Sequence, residues 1–354
     1  MWASWLDLLL IFVPLTVALE ILKVDPLFIF ATSALAIIPL AGLLGRATEH
    51  LACHVGASIG SLLNASLGNA AELIIAFVAL REGLHDVVKA SLTGSIIGNV
   101  LLVLGASMIA GGMKHERQRF NQTAAGLGTS MLVLAAVSLI IPALFHFTAA
   151  DRGVRIEHEL SLLIAAVLFI IYCLSLAFSL KTHRHVFDGD RHDADDLGEP
   201  PWSYRTALIV LAAVTILIGA MSEMLVGAIE PAAHQLGLTQ VFVGVIVVAL
   251  VGNAAEHSTA VLMAMKNKMD LAVGIAVGSS MQIALFVAPI LVFASYLFDH
   301  PLDLIFTPFE VAAVTMSVII LGFVSMDGES HWMEGVMLLG VYAMLAVAFF
   351  FLPA

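Results

Sequence analysis

The sequence predicts an all-α integral membrane protein of about 11 transmembrane helices, arranged as two inverted five-helix repeats behind an extra N-terminal helix. Three observations predict it. First, 60% of the 354 residues are hydrophobic and 12% are charged, where a soluble domain carries about 25% charged residues, and the mean hydropathy is +1.02. Second, apolar runs long enough to cross a bilayer, each needing about 20 residues, recur from end to end. Third, one pentapeptide occurs twice: Gly68-Asn69-Ala70-Ala71-Glu72 returns unchanged as Gly252-Asn253-Ala254-Ala255-Glu256.

Taken in order, the apolar segments are 5–22, 26–45, 55–80, 87–111, 122–147, 157–180, 204–229, 240–265, 269–298, 304–325 and 333–352. Each is expected to be a helix, because a lipid-exposed strand or loop leaves backbone polar groups unpaired. Asp7 and the lack of a basic region before the first run argue for a retained first helix rather than a cleaved signal. Pro289 is a place for a kink in the ninth segment. Cys53 and Cys173 fit neither a disulfide framework nor a zinc spacing, and packing is the role expected of them. The implied organisation is an N-terminal helix over 1–24, a first repeat over 25–181, a linker over 182–203 and a second repeat over 204–354.

The linker holds six of the 27 acids, namely Asp188, Asp190, Asp193, Asp195, Asp196 and Glu199, together with His183, His185 and His192. A solvated connection is the expected reading; a low-affinity divalent-cation sensor is the sharper one, although the spacing is not that of an EF-hand. With the N-terminus inside, the cytoplasmic connections hold ten basic residues (Arg46, Lys114, Arg117, Arg119, Lys181, Arg184, Arg191, Arg205, Lys266 and Lys268) against five outside (Lys23, Arg81, Lys89, Arg152 and Arg155). That excess favours a cytoplasmic N-terminus. No basic stripe offers itself to nucleic acid.

The pentapeptide copies lie 184 residues apart, and eight of 21 positions match when 60–80 is laid on 244–264. Downstream, Gly94-Ser95-Ile96-Ile97-Gly98-Asn99 aligns with Gly274-Ile275-Ala276-Val277-Gly278-Ser279 at an offset of 180. Five predicted helices separate equivalent positions. Five is odd, so each copy crosses the membrane in the opposite sense, as in secondary transporters with midplane sites at the repeat interface.

Glu72 and Glu256 fall near the centres of their segments, where a carboxylate is expensive and is functional by default. Asn69 precedes Glu72 by three residues and shares its helix face, and Asn253 and Glu256 repeat the arrangement. Gly68 and Gly252 permit close approach or local unwinding that frees carbonyls. Ser95 with Asn99, and Ser279 with Gln282, add neutral oxygens. Such an all-oxygen set suits Ca²⁺, Mg²⁺ or Mn²⁺ rather than Zn²⁺ or Cu⁺, with Glu72 and Glu256 as the metal ligands. For Ser95 and Ser279 singly, a helix-bridging hydrogen bond explains as much. His257 has no counterpart in the first copy and is expected to orient or protonate its neighbour. Glu20, Glu230 and Glu310 are placed at helix ends within reach of water, and Glu223, about six residues from an end, in a candidate access pathway.

At these residues the chain resembles the calcium/cation–proton exchanger family of the sodium/calcium exchanger superfamily. The stretches Gly68 to Glu72, Gly94 to Gly105, Gly252 to His257 and Gly278 to Gln282 carry the resemblance, which extends over nearly the whole chain. It implies that Glu72 and Glu256 are the central cation and proton ligands, that Asn99 and Gln282 lie at the site, and that gating helices move to alternate access. The sodium/calcium exchangers carry a Gly-Thr-Ser-type motif where this chain has Gly-Asn-Ala-Ala, which argues against sodium as the driving ion. Lack of a long N-terminal extension resembles prokaryotic members, and with them the cytoplasmic (inner) membrane.

The expectation is a transporter, not an enzyme: there is no phosphate-cradling loop and no His-Glu-x-x-His spacing. It exports Ca²⁺ in exchange for protons within a lipid bilayer and needs no cofactor. A monovalent Na⁺ or K⁺/proton antiporter and a cation channel stay open as alternatives, and a homo-oligomer is compatible with the sequence.

Overall fold

The computed structural model describes residues 7–55, 57–149, 153–183, 202–298 and 300–353. Twelve helices are distinguished among them: α1 (Leu9–Ile21), α2 (Pro26–Val55), α3 (Ala57–Leu67), α4 (Ala70–Arg81), α5 (His85–Gly112), α6 (Gln122–Thr148), α7 (Val154–Thr182), α8 (Tyr204–Leu236), α9 (Gln240–Met265), α10 (Met269–Ser295), α11 (Pro308–Val324) and α12 (Trp332–Phe350). Eight are long and apolar enough to cross a membrane, and α1 and α11 are shorter apolar helices. The only strands among the described residues are two-residue pieces, β1 (Gln118–Arg119) and β2 (Glu329–Ser330), paired antiparallel. The chain is therefore an all-helical, multi-pass membrane protein.

The helices form two compact units. The first contains residues 1–91, 192–255 and 350–354. Its centre is α2 lying along α8, with α1 and α4 packed beside them. Ile37, Leu40, Leu44 and Ala47 of α2 are buried, as are Ile218, Met221, Leu225 and Ile229 of α8. Both sets recur every three or four residues, the spacing of one helix face. Lipid is as apolar as leucine, so dispersion and close approach hold such helices together rather than release of water. The buried alanines Ala36, Ala207, Ala228, Ala232 and Ala233 serve that approach. Arg46 lies inside α2, which runs ten residues past the expected end at 45, and its guanidinium meets Asp7 at 2.8 Å. Ser203 caps α8 by accepting from the Thr206 amide, and Gly237, at φ 66°, ends it in the left-handed conformation. Just before that cap, Trp202 stacks on His50 with centroids 4.4 Å apart, and its carbonyl meets His54 Nε2 at 2.7 Å.

The second unit contains residues 92–191 and 256–349. Here α10 packs on α6 and α5, α11 packs on α6, and α7 packs on the C-terminal end of α10, where Phe286 meets Phe169 and Tyr172. A Cβ at Gly105 of α5 would lie 2.9 Å from the Gly335 carbonyl oxygen of α12. Only glycine allows those backbones to approach so closely. On α7, by contrast, Leu163, Ile170 and Leu174 are exposed. In a membrane protein, lipid covers such a face.

Several sequence expectations change. The segment 55–80 is two helices, α3 and α4, broken at Gly68 and Asn69. Helix α10 runs through Pro289 to Ser295, and the proline falls in the first turn after a π-helical stretch. Cys53 and Cys173 are exposed, on outward faces of α2 and α7, so neither packs a core. Glu230 lies inside α8, which continues to Leu236, and is exposed there. Glu310 is not water-accessible: it is 3% exposed and held in a capping box. Of the linker, residues 184–201, including all six of its acids, lie outside the described residues.

Candidate functional site

The two copies of the pentapeptide fold differently. In the first, Gly68 donates back to Asn64 and closes α3, while Leu73 donates to Asn69 and opens α4. Polar Asn64 and Ser66 precede this break, and such residues compete with helical hydrogen bonding. The second copy follows Val248, Ala249, Leu250 and Val251 and stays inside α9. The irregularity in α9 lies upstream instead, as a π-helical stretch over Val243–Val248. Local unwinding at the glycine thus occurs at Gly68 and not at Gly252.

The break places Glu72 in the first turn of α4. A helix N-terminus carries partial positive charge and favours a carboxylate, so this turn can hold an ionised Glu72 where the surroundings are apolar. Both Glu72 carboxylate oxygens are shielded from solvent. Asn69 stands at the N-cap position of α4 and is 1% exposed. Against Glu72 lies Gly252: a Cβ built there would be 3.0 Å from Glu72 Cγ and 3.5 Å from Oε1. The glycine of the second copy therefore makes room for the acid of the first. Asn253 is fully buried, and its amide nitrogen donates to the Ala249 carbonyl at 2.8 Å.

In the second unit Glu256, His257, Asn99 and Ser279 form one hydrogen-bonded set. Asn99 Nδ2 donates to Ser279 Oγ at 3.0 Å, and Ser279 hydrogen-bonds the Glu256 carboxylate. His257 Nε2 lies 3.0 Å from Asn99 Oδ1. An amide oxygen only accepts, so with the Asn99 amide in this orientation His257 Nε2 carries the hydrogen. Through Nε2, His257 thus holds Asn99 of a different helix. Glu256 Oε2 is buried with no hydrogen-bond partner among the described residues. That oxygen is an acceptor not already used by a protein donor among the described residues.

Asn99 is the second residue of a π-helical stretch, Gly98–Val103, in α5, and another such stretch, Ile283–Val287, follows Gln282 in α10. Single π turns inside α-helices occur often at functional positions. Ser95, 4% exposed, lies four residues before Asn99, and Gln282 lies three after Ser279. Glu223 does not stand alone as an access-pathway acid: its carboxylate meets Arg81 at 3.1 Å, and Arg81 also bonds Glu82 at 3.0 Å.

Among the described residues no three His, Cys, Asp or Glu side chains cluster as a transition-metal site would require. Carboxylate, amide and hydroxyl oxygens are what these helices offer, which is the chemistry of hard cations. Sequence reasoning missed Glu310 as a buried polar group. Its role as a helix cap, though not its burial, had a signal: Thr307-Pro308-Phe309-Glu310 has the capping-box spacing with proline at the first helical position.

The chain matches the family described as sodium/calcium exchanger protein over residues 26–181 and 206–351. A Ca²⁺/H⁺ antiporter of Synechocystis is 44% identical over 98% of this chain and 96% of its own length. The Ca²⁺/H⁺ antiporter ChaA of Bacillus subtilis is 44% identical over 96% of this chain and 97% of its own. Among solved structures, native YfkE superimposes with a TM-score of 0.86 at 42% identity, covering 98% of this chain and 99% of that one. These relatives are transporters rather than enzymes, and the fold, the duplicated motif and the full-length similarity agree: the chain belongs to the sodium/calcium exchanger family.

Proposed function

We propose that this protein is a secondary antiporter that exchanges Ca²⁺ for protons, with Glu72 and Glu256 as the acids that carry either cargo. The observation that carries this reading is the state of the two carboxylates, shielded oxygens on Glu72 and a buried, unoccupied acceptor on Glu256. A carboxylate withdrawn from water is stable when something neutralises it. Protons and divalent cations both do so, and two carboxylates match one divalent charge. Asn69, Asn253, Ser95, Asn99, Ser279 and Gln282 supply the neutral part of the site, and Ca²⁺ accepts six to eight oxygens with tolerant geometry. The relatives named as Ca²⁺/H⁺ antiporters favour Ca²⁺ and protons over the other cargoes that such a site could take.

The inverted duplication is part of this proposal. Eight long helices and the shorter apolar α1 and α11 are compatible with this scheme, in which the α3–α4 pair serves as one further crossing. Each compact unit takes one long stretch from each half of the chain. Asn99 and Ser279, which occupy equivalent positions at the offset of 180, hydrogen-bond each other, as residues on a pseudo-two-fold axis do. Broken or irregular helices at the motif are typical of transporter sites. The N-terminus and the acidic linker are cytoplasmic in this scheme, in a prokaryotic inner membrane.

The test is Ca²⁺ movement in sealed vesicles carrying the purified protein, with a pH gradient imposed and Ca²⁺ equal on both sides. Uphill Ca²⁺ uptake coupled to proton efflux is expected. Downhill flux alone makes the protein a channel, and uphill Na⁺ or K⁺ movement without Ca²⁺ makes it a monovalent antiporter.

A further inference from the structure

Glu310 has no part in the motif, yet it is the most fully satisfied buried carboxylate in the second unit. Its two oxygens serve two separate structures. Oε2 accepts from the Thr307 amide at 3.0 Å and from the Thr307 hydroxyl at 2.8 Å, closing the capping box of α11. Oε1 accepts from the Thr93 hydroxyl of α5 at 3.1 Å, across 217 residues of sequence. Thr93 is fully buried and Glu310 is 3% exposed. Three donors converge on one side chain, whose two oxygens both serve as acceptors. Each of its oxygens already accepts a hydrogen bond from the protein, unlike Glu256 Oε2.

Thr93 stands two residues before Ser95 and six before Asn99 on α5. Beside it lies a small, mainly apolar cavity lined by Thr93, Ile96, Leu139, Ile283 and Ala284. The cavity means that packing alone does not immobilise this stretch of α5, since a void has no partner atoms on one side. The hydrogen bond from Thr93 to the Glu310 carboxylate does, because it is buried and ties α5 to the first turn of α11. Further along α5, Asn99 must meet both Ser279 Oγ and His257 Nε2, each at 3.0 Å. Rotation of α5 about its axis would break both contacts together.

We propose that Glu310 is a positioning residue: a fixed carboxylate latch that sets α5 through Thr93 and thereby aligns Asn99, and through Ser279 orients Glu256, for cation binding. This inference rests on the Ca²⁺/proton reading of the same site. The division of labour between the two oxygens supplies its test. Thr93→Val removes the latch and leaves the cap, whereas Thr307→Ala removes the cap and leaves Thr93 its acceptor.

The experiment measures half-saturating Ca²⁺ and maximal rate in vesicles, and melting temperature in detergent, for the full chain and each variant. Thr93→Val is expected to raise half-saturating Ca²⁺ roughly tenfold, the factor that about 1.4 kcal/mol gives, and Thr93→Ser to restore it. Thr307→Ala is expected to lower the melting temperature without moving half-saturation. If Thr93→Val does not insert, Thr93→Ala removes the same hydroxyl and carries the same expectation. An unchanged half-saturation in the Thr93 variants overturns the latch, and so does an equal shift in Thr307→Ala, which would mark general destabilisation. Absence of Ca²⁺ exchange in the unaltered protein would overturn the functional reading, and the latch with it.

Discussion

Replacing Gly252 with alanine isolates the contact between the two motif copies. The new Cβ would sit 3.0 Å from Glu72 Cγ, whereas carbon atoms rest at about 3.5–4.0 Å. Glu72 must therefore retreat by at least about 0.5 Å. Ca²⁺ accepts oxygen ligands over about 2.3–2.6 Å, a window narrower than that displacement. Alanine is also a better helix former than glycine, by about 1 kcal/mol in a helix interior, so the fold gains local stability while the site loses geometry. Half-saturating Ca²⁺ should rise about tenfold or more, equivalent to about 1.4 kcal/mol, with no fall in melting temperature. Gly219→Ala is the matched control, because a Cβ there meets nothing within 4 Å. The assay is initial Ca²⁺ uptake over a Ca²⁺ series in vesicles at equal protein incorporation. Wild-type half-saturation in Gly252→Ala would refute the reasoning, for it would show that the position of Glu72 does not govern Ca²⁺ binding.

Other expectations follow from the same account. Glu72→Gln and Glu256→Gln should each abolish exchange while leaving the protein folded, since the amide keeps shape and polarity but removes half the charge available to a divalent ion; near-normal Ca²⁺ uptake in either variant at equal expression would sink the assignment. Replacing Asp188, Asp190, Asp193, Asp195, Asp196 and Glu199 with serine or asparagine should leave the maximal rate largely intact and at most shift its Ca²⁺ dependence. Complete loss of transport in that variant, once correctly inserted, would give the linker a direct part in exchange.

Apolar run length made the helical, membrane-spanning class readable from sequence, and the repeated pentapeptide singled out the two acids proposed as ligands, because both signals lie in short stretches of chain. What was not readable depended on distant partners. Gly-Asn-Ala-Ala-Glu is the same in both copies, yet the chain breaks at Gly68 and continues through Gly252. The pentapeptide itself cannot decide this; Asn64 and Ser66 on one side, and Val248 to Val251 on the other, carry what local bias exists. Helix α2 extends through Arg46, Glu49 and His50, charged and polar residues that mark a loop in a hydropathy profile. Arg46 has its partner in Asp7, 39 residues away. The capping-box spacing around Glu310 is local, but its other hydrogen-bond partner is Thr93, 217 residues upstream. His257 was read against its neighbour in sequence, and the structure turns it to Asn99 of another helix.

The central claim is that protons and Ca²⁺ alternate at the same carboxylates. If so, an empty, fully charged site is too costly to carry across a low-dielectric core, and exchange needs no separate proton path. The most direct test is initial Ca²⁺ flux in vesicles, measured over a pH series at several Ca²⁺ concentrations on the binding side. Acidification there should raise half-saturating Ca²⁺, and saturating Ca²⁺ should largely restore the rate. A fall in maximal rate at unchanged half-saturation would contradict the claim and place the protons on a path of their own.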